Sequence, residues 1–269
     1  MKINYNGKIT DNKSTLSIDN RAFKYGDGLF ESIKVEDAKV IFVEDHYFRL
    51  MASMRMLRMN IAMHFTLEFF EQEILKLVLA NNLKDARVRF TVYRKDGGLY
   101  LPVNNNTDFI IEVHLLSVKL KDVYEVDIFK DYYLYSGLFS TLKTNNKILN
   151  VVGSIYADDN GLDNCILLNE KKQIVEALNA NIFLVKDKKI ITPLLSEGCL
   201  KGVMRKKVLE LISKEDHYEI IETEISPFEL QKVDEVFLTN AIMGIQPVTK
   251  YRKRTFTTEV STYLRNKLM

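Results

Sequence analysis

The sequence lacks the features that mark several classes of protein. It has only two cysteines, Cys165 and Cys199, and four histidines without ligand spacing, which argues against a disulfide scaffold and predicts no metal site. No apolar run approaches the roughly 18 residues that a membrane helix needs, and the N-terminus has no apolar signal region. Repeats and low-complexity stretches are absent as well. We therefore expect a cytoplasmic protein without a membrane segment.

An excess of charge of one sign is also missing. The chain has 38 basic and 36 acidic residues and a net charge of +2. This balance argues against a nucleic-acid partner and an anionic membrane surface, because both require a strongly basic face. The basic segment 250–254 is a local exception, and five such residues usually form a solvated patch. The composition therefore favours a cytoplasmic enzyme.

Strand and helix patterns are both present along the chain. The predicted strands cover residues 29–35, 39–43, 88–92, 109–115 and 235–240, and the predicted helices cover 45–61, 67–81, 145–159, 202–212 and 257–269. The strands cluster in hairpins with helices grouped between them, which predicts an α+β fold. In the helix over 145–159, the spacing of Ile148, Val151 and Ile155 predicts that these side chains face the core.

Lys143 is the first candidate for chemistry. It follows the almost uncharged, aromatic segment 134–142 and precedes the helix predicted over 145–159. Desolvation in such a setting frees the neutral amine of a lysine, which can form a Schiff base with an aldehyde cofactor. A glutamate such as Glu176 can hold the ring nitrogen of that cofactor protonated. Taken alone, a lysine at a helix start is usually an ordinary surface residue.

Three further segments are candidates for binding a phosphate. Arg49 lies in the helix predicted over 45–61, beside the inward residue Leu50, and an arginine there either snorkels to solvent or forks two hydrogen bonds to a phosphate. Segment 198–205 is a glycine turn that opens a helix, where free backbone N–H groups suit an anion. Segment 239–241 ends a strand and can add another donor.

These candidates belong to motifs that occur in order along nearly the whole chain. The motifs cover residues 21–31, 46–50, 143–146, 175–183, 192–193, 198–205 and 234–248. In this order the sequence resembles the fold-type IV (class IV) enzymes that depend on pyridoxal 5'-phosphate. That class holds branched-chain aminotransferases, D-amino-acid aminotransferases and aminodeoxychorismate lyases.

The resemblance implies a role for each site residue. Lys143 would bind the cofactor aldehyde covalently and later move a proton. Lys147 is the alternative candidate for this role. Lys143 is preferred because it directly precedes a small residue, any residue and an asparagine, and the family has its lysine in that position. Glu176 would pair with the pyridine nitrogen, and Arg49 would bind the phosphate.

The segments around the helix start and the last strand would complete the cofactor site. Backbone of Val203 and Met204 and the region of Asn240 and Ala241 would hold the phosphate, and Leu200 would pack on the ring. Ala241 stands where several aminotransferases of the class carry a hydroxyl residue. The resemblance therefore implies that the phosphate is held slightly differently here.

The resemblance also implies an architecture and an assembly. We expect an N-terminal α/β domain over 1–118, a linker over 119–125 and a C-terminal cofactor-binding domain over 126–269, with the cofactor in the cleft between the domains. Members of the class are homodimers whose partner subunit helps to close the site. The ligand would be a small-molecule amino substrate.

Two local sequences favour one reaction of the class. Residues 240–243, Asn-Ala-Ile-Met, are similar to an Asn-Ala-Leu-Met run of the lyases, and residues 94–100 are similar to their glycine-rich loop, with two glycine positions changed. That loop has no Arg-x-His carboxylate trap of the D-amino-acid enzymes. Residues 30–32 read Phe-Glu-Ser rather than the Phe-Glu-Gly of branched-chain enzymes, although Glu31 is shared with transaminases.

The resemblance therefore implies a 4-amino-4-deoxychorismate lyase, which eliminates pyruvate to give 4-aminobenzoate in folate biosynthesis. The alternative is an aminotransferase for branched-chain or related amino acids. A third possibility is a non-catalytic member that keeps the fold for binding or assembly. The presence of Lys143, Glu176 and Arg49 together argues against this third possibility.

Overall fold

The chain folds into two compact units in a computed structural model that describes residues 1–11 and 16–268. The first unit comprises Met1–Val118 and Lys143–Asn146, and the second comprises Lys119–Leu142 and Lys147–Met269. The segment Lys143–Asn146 thus groups with the first unit, although the residues on both sides of it belong to the second. The domain and linker limits expected from the sequence stay a prediction.

One antiparallel sheet of six strands forms the first unit, in the order β2-β1-β6-β5-β3-β4. The strands are β1 (Lys2–Tyr5), β2 (Lys8–Asp11), β3 (Gly28–Glu36), β4 (Lys39–Val40), β5 (Ala86–Arg94) and β6 (Thr107–Leu115). Strands β3 and β4 form one of the predicted hairpins, but β4 ends at Val40 rather than at residue 43. The turn residues Asp37 and Ala38 have φ values of 48° and 58°, which close a tight antiparallel connection.

Three helices complete this unit: α1 (Arg21–Tyr25), α2 (Val43–Met56) and α3 (Leu67–Ala80). Helix α2 is shorter than the predicted span 45–61, because Arg58 adopts a left-handed φ of 55° that ends it. Aromatic rings fill the core beneath α3: Phe70 and Phe90 lie 4.7 Å apart, and Phe90 and Phe109 lie 5.3 Å apart. Close aromatic packing of this kind stabilises a core beyond the area that it buries.

Two five-stranded sheets form the second unit, in the orders β12-β11-β10-β13-β14 and β16-β15-β7-β8-β9. The strands are β7 (Glu125–Leu134), β8 (Asn164–Asn169), β9 (Ile174–Ala177), β10 (Asn181–Lys186), β11 (Lys189–Pro193), β12 (Glu219–Thr223), β13 (Glu235–Asn240), β14 (Gly244–Val248), β15 (Lys250–Tyr251) and β16 (Arg254–Thr255). Buried aliphatic residues of both sheets, including Ile166, Ile182 and Val236, share one core.

Helices α4 (Ile148–Asp159), α5 (Val203–Ile212) and α6 (Glu259–Leu268) pack on these sheets. The predicted orientation of α4 is wrong: Ile148, Val151 and Ile155 are 69%, 52% and 56% exposed. The helix instead packs through the opposite face, where Gly153 and Ala157 are buried. A Cβ added at Gly153 would lie only 2.4 Å from Leu178, so the glycine lets α4 approach the sheet closely. Leu149, Val152 and Tyr156 pack beside it.

The two units together contain helices and mostly antiparallel strands, which confirms the predicted α+β class. Over residues 1–11 and 16–268, no helix combines the length and the apolar composition that a membrane crossing requires.

Candidate active site

Lys143 lies in an extended segment that is added to the edge of β3. Thr144 forms an antiparallel bridge with Leu29. The amide of Phe30 donates to the carbonyl of Lys143 at 2.9 Å, and the amide of Asn145 donates to the carbonyl of Gly28 at 2.9 Å. The helix expected from residue 145 begins only at Ile148. The backbone of Lys143 is therefore fixed by a sheet, not by a helix.

Glycine is required at position 28 for this arrangement. A Cβ at Gly28 would lie 2.5 Å from the side-chain nitrogen of Asn145, closer than two such atoms can approach. The absence of a side chain at Gly28 thus allows the close approach of the lysine segment.

The ring of Phe30 lies next to two cations. The amine of Lys143 is 4.5 Å from the ring centroid, and the guanidinium carbon of Arg89 is 3.7 Å from it. Arg89 also donates from Nη2 to the side-chain oxygen of Asn145 at 3.3 Å. Burial lowers the pKa of Arg89 from its ordinary value, but an arginine stays charged at neutral pH. The Lys143 amine and the Arg89 guanidinium therefore lie near the same ring.

Arg89 was not identified from the sequence as a candidate site residue. In the alternating pattern of β5 it looks like an ordinary polar residue. Its proximity to Lys143 depends on the register in which β5 pairs with β3, where Arg89 faces Ser32, and on the docking of segment Lys143–Asn146. One feature of the sequence could have indicated a binding role for Arg89. It lies in a predicted strand, and residues 86–94 contain no acidic residue that could pair with it.

Arg49 lies on α2, and its guanidinium pairs with Glu31 of β3. Arg49 Nε donates to Glu31 Oε1 at 2.7 Å, and Arg49 Nη2 donates to Glu31 Oε2. His46 Nδ1 lies 2.7 Å from the same carboxylate. The alternative that Arg49 only extends its charged end to solvent is therefore wrong, because its guanidinium is bound to the buried carboxylate of Glu31. The assignment of Arg49 to a phosphate stays a prediction.

The ionisation of this cluster follows from burial and charge. Burial would raise the pKa of Glu31, but the charge of Arg49 and the hydrogen bonds from His46 and Arg49 outweigh it and lower the pKa to about 2. Burial lowers the pKa of His46, and the charges of Arg49 and Lys143 act in the same direction, although Glu31 opposes them. At neutral pH the cluster thus contains a carboxylate, a guanidinium and a neutral imidazole.

The other predicted residues lie in the second unit, where Glu176 and Leu200 are in contact. Glu176 is on β9 and only 8% exposed. Its Oε2 accepts a hydrogen bond from the backbone N–H of Leu200 at 2.8 Å. The carbonyl of Leu200 accepts from the side chain of Asn181 at 2.8 Å. These bonds fix the carboxylate against the turn that precedes α5.

That turn ends in a helix start suited to an anion. Gly202 is the N-cap of the ten-residue helix α5 and supplies no side-chain cap. The N–H groups of the first turn, which includes Val203 and Met204, have no partner within a helix. A Cβ at Gly202 would lie 2.0 Å from Asn181 Oδ1, so only glycine fits there.

A polar atom without a partner lies on the strand beside Asn181. Thr239 is opposite Asn181 in the pairing of β10 with β13. Its hydroxyl is buried and has no hydrogen-bond partner among the described residues of the chain. A buried hydroxyl without a partner is costly in a native fold.

Asn240 and Ala241 form the turn between β13 and β14. Asn240 Oδ1 accepts from the backbone N–H groups of Ile242 and Met243 at 3.0 and 2.8 Å. Its amide group donates to the carbonyl of Asn179 at 3.2 Å. The side chain of Asn240 therefore holds the turn in which the half-buried Ala241 lies. The six predicted residues of this unit are thus found along β9, the α5 turn and the β13–β14 turn.

Comparisons with known proteins identify the family of the chain. Residues 28–251 match the model of the family described as amino-transferase class IV. The chain is 32% identical to a putative branched-chain-amino-acid aminotransferase of Methanocaldococcus jannaschii, over 92% of this chain and 87% of the relative. It is 28% identical to the aminodeoxychorismate lyase of Vibrio harveyi, over 85% of this chain and 84% of the relative.

A solved structure shows the same fold. The branched-chain amino acid aminotransferase of Escherichia coli has a TM-score of 0.88 and 22% identity, over 99% of this chain and 92% of that one. The fold-type IV architecture expected from the sequence is thereby confirmed. The match over most of the chain shows that this protein belongs to the class IV aminotransferase family of pyridoxal-phosphate-dependent enzymes.

Proposed function

We propose that this chain is a cytoplasmic, pyridoxal-phosphate-dependent 4-amino-4-deoxychorismate lyase that releases pyruvate and yields 4-aminobenzoate for folate biosynthesis. The observation that carries the proposal is the pairing of Lys143 and Arg89 on the ring of Phe30. Aminodeoxychorismate presents an amine together with carboxylates, and a guanidinium is the side chain best suited to a carboxylate. The similarity to the Vibrio harveyi lyase supports the same reaction.

The residues present fit the cofactor. Lys143 supplies an amine for covalent attachment, and Glu176 supplies a carboxylate fixed by the N–H of Leu200. The uncapped start of α5 suits a phosphate. We therefore propose that Lys143 binds the aldehyde and Glu176 the ring nitrogen. Arg49 and the backbone of Val203 and Met204 would bind the phosphate, with the turn at Asn240 and Ala241 beside it and Leu200 against the ring.

The chain's own groups would carry the reaction in a short sequence. When bound, pyridoxal phosphate supplies an electron sink for the charge left by proton removal. Lys143 takes the proton from the substrate carbon that bears the amine. Glu176 keeps the ring nitrogen protonated, which strengthens that sink. The carbon–oxygen bond to the enolpyruvyl group then breaks, the departing group gains a proton to become pyruvate, and the remaining ring is aromatic.

Incubation with aminodeoxychorismate tests the proposal. The purified holoenzyme should form pyruvate and 4-aminobenzoate in equal amounts without any 2-oxo acid. A reaction that needs a 2-oxo acid acceptor and forms no pyruvate from aminodeoxychorismate would contradict the lyase assignment.

The second candidate function is an aminotransferase for branched-chain or related amino acids. The 32% identity to the Methanocaldococcus jannaschii protein, which is named a putative enzyme of that kind, favours it. Transfer of the amino group from leucine or valine to 2-oxoglutarate, at a rate far above that of pyruvate release, would establish this candidate instead.

Removing the charge of Arg89 should weaken substrate binding. We expect Arg89→Met to raise the KM for aminodeoxychorismate about 10- to 100-fold, because a charged hydrogen bond contributes roughly 1.5–3 kcal/mol. Arg87→Met is the matched control, since Arg87 is an exposed residue of the same strand and should keep the wild-type KM. Steady-state kinetics measure both, and an equal KM in Arg89→Met and wild type would remove Arg89 from the substrate site.

We also propose that the chain forms a homodimer. The outward side of α4 supports this, because Ile148, Val151 and Ile155 are exposed there and no charged residue occurs in the helix before Asp158. Interface cores are typically depleted of charge in the same way.

A charge placed on this helix should separate the subunits. We expect Ile155→Lys to shift the protein from dimer to monomer in size-exclusion chromatography with light scattering, because a buried lysine would lack a partner. Leu79→Lys is the control, since Leu79 is an exposed apolar residue of α3 in the first unit. An unchanged dimer in Ile155→Lys would place the interface elsewhere.

A further inference from the structure

Glu31 is a buried carboxylate to which neither the family resemblance nor the proposed reaction assigns a task. It is on β3 and only 1% exposed. Three donors from one face of α2 converge on it: Nε and Nη2 of Arg49 and Nδ1 of His46. Taking a carboxylate out of water is costly, and these three hydrogen bonds from two residues offset part of that cost.

We propose that Glu31 is a positioning residue that orients Arg49 for the phosphate of the cofactor. The inference rests on the proposed binding of pyridoxal phosphate, and it extends that proposal by assigning a residue that acts through Arg49 rather than by touching the cofactor.

The geometry of the ion pair supports this role of Glu31. A guanidinium has two edges that can each donate two parallel hydrogen bonds, and Glu31 takes the edge formed by Nε and Nη2. The edge that contains Nη1 therefore points in a fixed direction away from Glu31. The Arg49 side chain is mostly buried, with 11% of its surface exposed, so Glu31 fixes the direction of a side chain that solvent still reaches.

His46 holds Glu31 without adding a second positive charge. A carboxylate only accepts hydrogen bonds, so the proton between the two groups belongs to His46 Nδ1. Burial keeps the pKa of His46 below its usual value, and the ring is neutral at pH 7. The three side chains thus carry one negative and one positive charge, and the second carboxylate oxygen is shared between His46 and Arg49.

Pre-orientation should raise the affinity for the phosphate. A free arginine loses side-chain rotamer freedom when it binds an anion, whereas Arg49 is already ordered by Glu31. The carboxylate also has an opposite effect, because its negative charge repels a phosphate. The two effects predict opposite results for removal of the Glu31 charge, so a binding measurement separates them.

The test compares two ligands on Glu31→Gln. Glutamine has the same size, but only its carbonyl oxygen can accept, so the two parallel hydrogen bonds from Arg49 cannot both form. We expect the Kd for pyridoxal phosphate to rise about 10-fold, measured by absorbance titration of the protein without cofactor. The reaction with pyridoxal, which lacks the phosphate, should be unchanged. An unchanged or tighter Kd for pyridoxal phosphate, or an equal loss for both ligands, would overturn the proposal.

Glu73→Gln is the matched control. Glu73 is another buried glutamate of the first unit, bonded to Asn4 and Lys76. Its replacement should lower the free energy of unfolding. The ratio of the affinity for pyridoxal phosphate to the affinity for pyridoxal should not change. A similar change of this ratio in Glu73→Gln would mean that the assay responds to a loss of stability of the first unit and not to the position of Arg49.

A double variant shows whether Glu31 acts through Arg49. Adding Glu31→Gln to Arg49→Gln should cause no further loss of phosphate-dependent affinity, because the group to be positioned is already absent. Additive losses would overturn the proposal. Should Glu31→Gln fail to fold, Glu31→Asp carries the same test. It keeps the charge but is too short to reach both nitrogens, and unchanged affinity in it would contradict the inference.

The result is separable from the assignment of the reaction. Wild-type protein that binds pyridoxal phosphate but does not release pyruvate would contradict the lyase and leave the role of Glu31 intact. Wild-type protein that binds no pyridoxal phosphate would overturn both.

Discussion

Lys143→Ala should lose turnover entirely, with a fall of at least about 10⁴-fold, and should no longer attach pyridoxal phosphate covalently. The amine of Lys143 is both the point of attachment and the group that moves the proton, and alanine replaces neither function. Pyruvate release and the absorbance of the protein-bound cofactor measure the two effects. The backbone of the segment is held by Phe30 and Gly28, so the variant should keep its fold.

Lys147→Ala is the control for this prediction, because Lys147 is the other lysine of the segment and lies at the start of α4. It should retain covalent attachment and pyruvate release. Full activity in Lys143→Ala, or loss of attachment only in Lys147→Ala, would mean that the reactive lysine is misassigned.

Glu176→Gln should keep the cofactor bound but slow proton removal by about 10²-fold or more. A glutamine oxygen can still accept from the N–H of Leu200, so the turn before α5 should keep its shape. The neutral amide cannot keep the ring nitrogen protonated, and the electron sink is weakened. Exchange of the substrate's labile C–H proton with deuterium, followed by NMR in single-turnover conditions, measures the step directly.

Glu197→Gln is the control for the loss of a buried carboxylate. Glu197 belongs to the same unit and contacts Asn169 and Lys171, so its replacement should affect unfolding but leave proton exchange unchanged. An unchanged rate in Glu176→Gln would show that this side chain does not set the protonation of the ring.

Some parts of the candidate site follow from local sequence. Lys143, Glu176 and the glycine turn at 198–202 are each recognisable within a few residues, and their roles stay a prediction. The α+β class follows from hairpins and helices that are themselves local. The structure places the glycine turn at the start of α5, as the sequence indicates.

Features that depend on contacts distant in sequence could not be predicted. The 3.6-residue period of α4 defines a common face for Ile148, Val151 and Ile155, but not the side on which the sheet lies. In the structure the opposite face packs inward, with Gly153 against Leu178 and with Leu149, Val152 and Tyr156. The same limit applies to the Glu31–Arg49 pair and to Arg89, whose partners are set by strand register and helix docking.

Borohydride reduction of the wild-type holoenzyme, followed by digestion and mass spectrometry, identifies the residue that binds pyridoxal phosphate. We expect a single phosphopyridoxyl group on the peptide that contains Lys143, with the modification on that residue. A label on another lysine, or protein that takes up no label after incubation with pyridoxal phosphate, would contradict it.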